Sequence, residues 1–358
     1  MIKILNIKNI KEKLSVCFTL LCTGGAFFFI FLYPDECKNG ISNGLVLCVK
    51  TLVPSLFMYM ILASYISGSK VGIYMGAVFS YPVEKFLKLP RISASIILLS
   101  IIGGYPIGAK CIASAFENKL LTKPQARKLA LFSVCSGPGF VLSFVGVSLY
   151  QNKKIGFILL ISQLLSFFIN AFIVALSIKA EDEYVLKNKN NISSCDFSKA
   201  VQQGCVATLN MCSMVIVFSS IINVFEKLLS HHAIIKDMLT LFLEVTTACS
   251  KLYTDYPLYV ISFAIGFSGI CVHFQIFSIL REIKINKTLF FVFRIIQGIT
   301  SACLTYTLLI FFPVKEEVFS TVTHSTEQFS STVAGGLMLI FTSVCFLNSL
   351  NFSNLKRR

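Results

Sequence analysis

The sequence predicts an all-α polytopic membrane protein with about eight transmembrane helices and two re-entrant helical hairpins in an inverted repeat. The chain has 358 residues, of which 55% are hydrophobic and only 14% charged. A soluble globular domain is far less apolar than this. Runs of about 20 residues with at most one charge, the length that crosses a bilayer as a helix, recur along the chain.

The predicted spans share this length and low charge. They are Leu14 to Tyr33, Ile41 to Ser69, Leu129 to Tyr150, Ile155 to Ile178, Ala200 to Phe225, Tyr256 to Leu280, Thr288 to Phe312 and Ser330 to Leu355. The first has a longer apolar core than a signal peptide and no small-residue cleavage site, so we expect a retained helix. Val71 to Leu89 is short and carries charges, which is typical of an interfacial helix.

Two further apolar segments are interrupted. Ile92 to Leu121 is broken at Gly103–Pro106, and Met238 to Tyr256 contains Glu244. Interrupted segments in corresponding positions of two halves indicate a binding site in secondary transporters. Basic residues flank the first segment on both sides, which favours a hairpin that returns to the cytoplasmic face.

The distribution of basic residues predicts the topology. With both termini in the cytoplasm, most of the 32 Lys and Arg residues fall in cytoplasmic loops, as the positive-inside rule requires. The first hairpin then enters from the cytoplasm and the second from outside. The net charge of +15 is explained by loops facing anionic lipid. No nucleic-acid motif is present, so nucleic acid is not an expected partner.

The two halves share a short repeat and the same order of elements. Residues 48–52, CVKTL, match residues 205–209, CVATL. In each half a long helix precedes a broken hairpin, and a helix interrupted by small residues follows. The predicted regions are 1–40, tail and first helix; 41–178, first repeat with hairpin 92–121; 179–199, cytoplasmic linker; 200–312, second repeat with hairpin 238–256; and 313–358, outside loop, last helix and basic tail.

The tip of the first hairpin suits a turn inside the membrane. Gly103 and Gly104 permit a sharp turn, and Pro106 suits the first turn of the returning half-helix. Backbone groups left unpaired there need protein or a water-filled cavity around them. The tip therefore predicts a polar binding site, and the alternative is a tight turn between packed helices.

Glu244 is the most informative residue of the second hairpin. A carboxylate in an apolar run costs about 2.5–3.5 kcal/mol at the centre of a membrane helix, so it should face a cavity or a partner. Thr246, Thr247 and Ser250 supply hydroxyls beside it. The alternative is an ion pair with Lys251, Lys50 or Arg294.

Other polar residues of the spans complete the predicted site, although Asn210, His273 and Gln275 could equally form interhelical hydrogen bonds. The candidate substrate-binding residues are Gly103, Gly104, Tyr105, Pro106, Ser136, Gly137, Asn210, Glu244, Thr246, Thr247, Ser250, Ser268, Gly269, His273 and Gln275.

Four motifs resemble one known family. GGYPIGAK at 103–110, CSGPGF at 135–140, LEVTTACS at 243–250 and GFSGICVHFQIFSIL at 266–280 resemble the sporulation integral membrane protein YlbJ family of endospore-forming bacteria. Its Gate-domain group is similar to the core of concentrative nucleoside transporters and to the permease part of the ferrous iron transporter. The resemblance covers residues 40–312 and implies a role in forming heat-resistant spores, with no established substrate. It also implies that Glu244 binds a polar solute or carries a coupling proton.

No enzyme class is indicated. The chain has no nucleophile elbow, phosphate-binding loop or zinc-protease motif. Its 13 cysteines include no Cys-x-x-Cys pair, so neither a metal nor another cofactor is expected. Two function classes remain: a carrier of an unidentified small polar solute, sporulation-associated or a vegetative nucleoside or metabolite transporter, and a non-transporting scaffold of a sporulation complex.

The expected location is the bacterial cytoplasmic membrane or a sporulation-stage membrane. The expected partners are the lipid bilayer and a small polar solute, and the sequence leaves a homo-oligomer open.

Overall fold

The computed structural model describes residues 30–67, 70–178 and 196–314, and three earlier positions, 24, 25 and 28. These residues form helices and connecting turns, with no β-strand among them, in agreement with the predicted class. The α-helices are α1 Pro34–Leu47, α2 Val53–Ser67, α3 Lys70–Ala77, α4 Ile92–Gly103, α5 Tyr105–Glu117, α6 Lys123–Phe132, α7 Lys153–Ser177, α8 Phe197–Leu228, α9 Ala233–Leu243, α10 Val245–Leu252, α11 Leu258–Phe267, α12 Gly269–Ile279 and α13 Lys287–Phe311.

A short α-helical turn, Ser80–Pro82, a 3-10 helix, Arg281–Ile283, and three π-helical segments supplement them. Of the π-helical segments, Cys48–Leu52 joins α1 to α2, Val83–Leu87 precedes α4, and Gly139–Leu149 follows α6. Five helical stretches are long and apolar enough to cross a membrane: Pro34–Ile66, Lys153–Ser177, Phe197–Leu228, Leu258–Ile279 and Lys287–Phe311. A sixth is possible if the bent pair Ser80–Leu87 and Ile92–Gly103 forms one span. The five coincide with predicted spans.

Three predicted spans are not among these five, and the structure describes them to different extents. Leu129 to Tyr150 is divided, because α6 ends at Phe132 and residues 133–137 are not helical. The first predicted span lies almost wholly outside the described residues, and the last lies entirely outside them, as does most of the linker 179–199. The total of eight spans therefore stays a prediction.

Two helix pairs fold back on themselves. Hairpin 1 is α4 and α5, joined at Gly104, and hairpin 2 is α9 and α10, joined at Glu244. Hairpin 2 begins at Ala233 rather than at the predicted Met238. Asp237 thus lies within α9, where its carboxylate accepts a hydrogen bond from the Tyr256 hydroxyl at 3.0 Å. The membrane face from which each hairpin enters stays a prediction.

In each half the hairpin tip lies against the break in the following helical segment. A Cβ atom on Gly104 would lie 2.9 Å from the backbone nitrogen of Gly137. A Cβ atom on Gly269 would likewise lie 2.9 Å from the nitrogen of Val245, beside the tip of hairpin 2. Backbone meets backbone at both places, so glycine permits the contact. Both halves therefore have a hairpin tip in close contact with a helix break, and the inverted repeat itself stays a prediction.

Side chains satisfy the carbonyl groups that the helix breaks leave unpaired. Arg294 is fully buried and donates to the carbonyls of Leu131, at 3.2 Å, and Val134 at the end of α6. His273 Nε2 lies 2.9 Å from the Phe267 carbonyl at the end of α11. Because a carbonyl oxygen only accepts, Nε2 carries the proton. A cation or donor at a helix C-terminus stabilises the free carbonyls.

The helices pack as two groups. In the first, α7, α11 and α13 are joined by hydroxyl and amide groups. Gln163 Nε2 donates to the Ser262 carbonyl at 3.0 Å, and Ser166 Oγ lies 2.6 Å from Thr300 Oγ1. In the second, α8 packs along both α1 and α2. Interhelical hydrogen bonds fix the register of the first group. The second group carries the open polar surface described next.

Candidate functional site

Polar side chains line the facing sides of α1 and α8. They recur every three or four residues, the spacing that places residues on one side of a helix. Those on α1 are Glu36, Asn39, Ser42 and Asn43, and those on α8 are Ser219, Asn223 and Lys227. Together they form a polar groove between the two helices.

The groove has an outer and an inner part that share Asn43 and Asn223. The outer part has a volume of about 430 Å³ and lies at the N-terminal end of α1 and the C-terminal end of α8. The inner part has a volume of about 260 Å³ and reaches Lys50 and Thr51. At about 1.5 Å per residue, the groove follows roughly 20 Å of helix.

Hairpin 2 closes the inner part of the groove. Helix α10 presents Thr247, Ser250 and Lys251 to it. The Thr247 hydroxyl lies 3.2 Å from the Ser219 hydroxyl on α8, which ties the hairpin to the groove wall. Ser250 Oγ donates to the Thr247 carbonyl at 3.0 Å and remains only half-buried. Hydroxyl groups from two elements therefore converge where the groove ends.

The charges of the groove are unevenly compensated. Lys251 Nζ lies 2.7 Å from a carboxylate oxygen of Glu226, and Lys227 Nζ lies 3.9 Å from one of Glu36. Lys50 is exposed to the inner part and forms no ion pair or hydrogen bond with the described residues. Within that part of the chain, the groove therefore holds one uncompensated positive charge at its inner end.

Glu244 does not line the groove. Its side chain is buried, and its carboxylate accepts hydrogen bonds from the backbone N–H groups of Thr246, at 2.9 Å, and Thr247, at 2.5 Å. It is thus the N-cap of α10, where a carboxylate also favours the positive end of the helix dipole. The alternative ion pair is wrong for Lys251, which binds Glu226, and for Arg294, which binds backbone carbonyls and Gln297.

Most other predicted residues meet where the hairpin tips contact the helix breaks. Tyr105 is buried there, and its hydroxyl donates to the Ile265 carbonyl at 2.6 Å. None of the residues gathered at these breaks lines the groove. They are Gly103, Gly104, Tyr105, Pro106, Ser136, Gly137, Ser268, Gly269 and His273.

Three predicted residues lie elsewhere. Thr246 is buried in the first turn of α10. Asn210 is exposed on the surface of α8, outside both parts of the groove. Gln275 is half-buried and its Nε2 lies 3.7 Å from Cys271 Sγ. Of the predicted site residues, therefore, only Thr247 and Ser250 line the groove.

The sequence analysis did not predict the polar residues of α1 and α8 as site residues, and it named Lys50 only as an ion-pair partner of Glu244. Their spacing could have revealed them, because Ser219, Asn223 and Lys227 are each four residues apart. A polar stripe of this kind in an apolar helix predicts a face turned towards water or towards another polar helix.

A comparison with known proteins found a relative of this chain. The chain is 25% identical over 331 residues to the sporulation integral membrane protein YlbJ of Bacillus subtilis (strain 168), covering 77% of this chain and 80% of that protein. No protein-family profile and no solved structure matches the chain. Both the match and the apolar helices identify a membrane protein. This similarity supports the resemblance to the YlbJ family of sporulation integral membrane proteins that the four sequence motifs carry.

Proposed function

We propose that the protein is a secondary carrier of a small, polar, negatively charged solute. The observation that carries the proposal is the continuous polar groove that ends at hairpin 2 beside the uncompensated Lys50. Its solute enters between α1 and α8 and contacts the hydroxyl groups of α10. The protein catalyses no reaction on it.

The preference for an anion follows from the charge at the inner end. Two unit charges 4 Å apart interact by about 4 kcal/mol at the effective dielectric constant of about 20 found near protein surfaces. The Lys50 ammonium group has no carboxylate partner among the described residues, so an anionic solute would gain this attraction. Thr51 adds a hydroxyl donor, and the Ser250 hydroxyl adds a second one when it turns away from the Thr247 carbonyl. The inner volume of about 260 Å³ fits a solute of metabolite size.

The helix breaks supply the flexibility that a carrier needs. Ser268 divides α11 from α12 at the point where Gly269 contacts the tip of hairpin 2. Movement about such a break would carry the hairpin away from the groove wall and expose the solute to the other side. The proposal includes cytoplasmic N- and C-termini, which open the groove to the outside in the state described.

The setting is also part of the proposal. The carrier would act in the cytoplasmic membrane or in a membrane formed during sporulation, and it would be required for heat-resistant spores. Deletion of its gene in the parent organism should therefore lower spore survival on heating, and complementation with Lys50→Gln should restore it only in part. Spores of normal heat resistance after deletion would contradict this setting.

Transport can be tested directly with purified protein in liposomes. Counterflow uptake would be measured for carboxylates, inorganic phosphate, nucleosides and amines. We expect uptake of one or more anions, and Lys50→Gln should lower it at least tenfold without changing the thermal unfolding midpoint. The matched control is Lys38→Gln, which removes the same charge from an exposed position on α1 that lies outside the groove.

Two results would count against the carrier. Equal effects of Lys50→Gln and Lys38→Gln would remove the groove as the binding site. A protein that neither moves nor binds any member of the panel would favour the scaffold of a sporulation complex.

A further inference from the structure

A second cavity lies apart from the groove, at the N-terminal end of α11 and the C-terminal end of α13. Its volume is about 430 Å³, and its walls include Asp255, Tyr256, Tyr259 and Tyr306. None of its lining residues lines either part of the groove. The proposed carrier function makes no use of it.

Two tyrosine rings form a corner of this cavity. The rings of Tyr259 and Tyr306 have centroids 5.9 Å apart and stand at 86° to each other. Both residues keep surface exposed, 37% for Tyr259 and 57% for Tyr306. The face of an aromatic ring is electron-rich and attracts a cation within about 6 Å of the centroid. A corner of two nearly perpendicular rings can contact one cation from two sides.

The cavity also contains a carboxylate without a cationic partner. Asp255 accepts a hydrogen bond from the Thr254 hydroxyl at 3.0 Å and forms no ion pair with the described residues. The chain as a whole has a net charge of +15, so an unpaired carboxylate beside aromatic rings is locally unusual. A carboxylate together with ring faces is the set of groups that recognises an ammonium ion.

The loop that carries Asp255 is held on both sides. The Tyr150 hydroxyl donates to the Tyr253 carbonyl at 3.2 Å. The Tyr256 hydroxyl donates to Asp237 on hairpin 2 at 3.0 Å. The loop is therefore fixed before a ligand arrives, which lowers the entropy cost of binding.

We propose that this cavity binds an ammonium group of an organic amine. The tyrosines lie at the ends of membrane-length helices, where aromatic residues meet the lipid head groups. The ammonium group can thus come from the head group of an amine-bearing lipid or from a free amine in solution. The site is independent of the groove, so it can exist whether or not the protein transports an anion.

Purified protein can be titrated with tetramethylammonium and with ethanolamine, with binding followed by calorimetry. Asp255→Asn and Tyr306→Leu should each weaken binding by about tenfold. Tyr306→Phe keeps the ring and should bind as the wild type does. Glu117→Gln removes one exposed carboxylate from the end of α5, outside the cavity, and should leave binding unchanged.

Native mass spectrometry distinguishes the two sources of the ammonium group. Retention of phosphatidylethanolamine over phosphatidylglycerol, lost in Asp255→Asn, indicates a lipid site. Binding of the free amines without lipid selectivity indicates a soluble ligand. The proposal is overturned if neither free amine binds and phosphatidylethanolamine is not selectively retained, if Tyr306→Leu and Tyr306→Phe behave alike, or if Asp255→Asn and Glu117→Gln have the same effect.

Discussion

The two hairpins share a topology but differ in what surrounds them. Hairpin 1 is packed on most sides, and its tip at Gly104 contacts the backbone at Gly137. Hairpin 2 has only Thr240 and Leu241 buried in its first arm, while its second arm turns hydroxyl groups towards the groove. The comparison teaches that two hairpins of the same topology can differ in their surroundings, one enclosed by packed helices and the other lining an open groove.

The side chains explain the difference. In hairpin 1 the arms approach so closely that a Cβ atom on Gly108 would lie 2.6 Å from Ser100 Oγ. In hairpin 2 the turn is made at Glu244, in an extended conformation, and its carboxylate holds the start of α10. Small residues therefore give hairpin 1 close packing between its arms, whereas in hairpin 2 a capping side chain holds the turn, and close packing is confined to the tip and the second arm.

The largest effect should come from Gly104→Leu in hairpin 1. Gly104 has φ +78° and ψ −167°, a region open almost only to glycine. A Cβ atom there would also lie 2.9 Å from the Gly137 nitrogen, and backbone cannot move aside as a side chain can. We expect loss of the folded protein, measured as the yield of monodisperse protein after extraction.

The control for this substitution is Gly24→Leu, because a Cβ atom on Gly24 meets nothing within 4 Å. It should give a yield near that of the wild type. Equal yields of Gly104→Leu and Gly24→Leu would show that hairpin 1 does not depend on this contact.

A smaller effect is expected from removing the cap of hairpin 2. Glu244→Ala leaves the backbone N–H groups of Thr246 and Thr247 without acceptors, and a buried unpaired group costs about 1–3 kcal/mol. Glu244→Gln keeps one acceptor oxygen and should cost less, about 1 kcal/mol. The thermal unfolding midpoint of each variant, measured in the same detergent, gives the order of the two losses.

Transport distinguishes the cap from the acidic site that the sequence predicted. If Glu244 only caps α10, Glu244→Gln protein that folds should keep the uptake and the pH dependence of the wild type. Loss of the pH dependence with an unchanged unfolding midpoint would contradict the capping role and favour a coupling proton.

The helix breaks could be predicted from local signals in the sequence, but the groove could not. Gly103–Pro106 and the small residues at 136–139 interrupt apolar runs, so their positions follow from turn chemistry and hydropathy alone. The position of Glu244 was equally visible, but whether it caps a helix or binds a partner depends on atoms that tertiary structure brings near. The groove is lined by residues far apart in the chain, such as Asn43 and Asn223. Helical spacing alone does not show which polar faces lie opposite each other.

The smallest effect on stability, and the sharpest test of the comparison, comes from a matched pair of serines. Ser250 in hairpin 2 donates to the Thr247 carbonyl at 3.0 Å, and Ser100 in hairpin 1 donates to the Ile96 carbonyl at 2.7 Å. Both hydroxyls satisfy a backbone carbonyl of their own helix, so each Ser→Ala change should alter the free energy of unfolding by about 1 kcal/mol or less.

The two Ser→Ala variants should differ in transport, because only Ser250 lines the groove. Ser250→Ala should raise the KM for the transported anion several-fold, because it removes a hydroxyl that can turn from the Thr247 carbonyl to the solute, while the groove keeps its shape. Ser100→Ala should leave the KM unchanged, because its hydroxyl lies between the packed arms of hairpin 1. A rise in KM for Ser100→Ala as large as that for Ser250→Ala would mean that both hairpins contact the solute, and the division between a packing hairpin and a binding hairpin would be wrong.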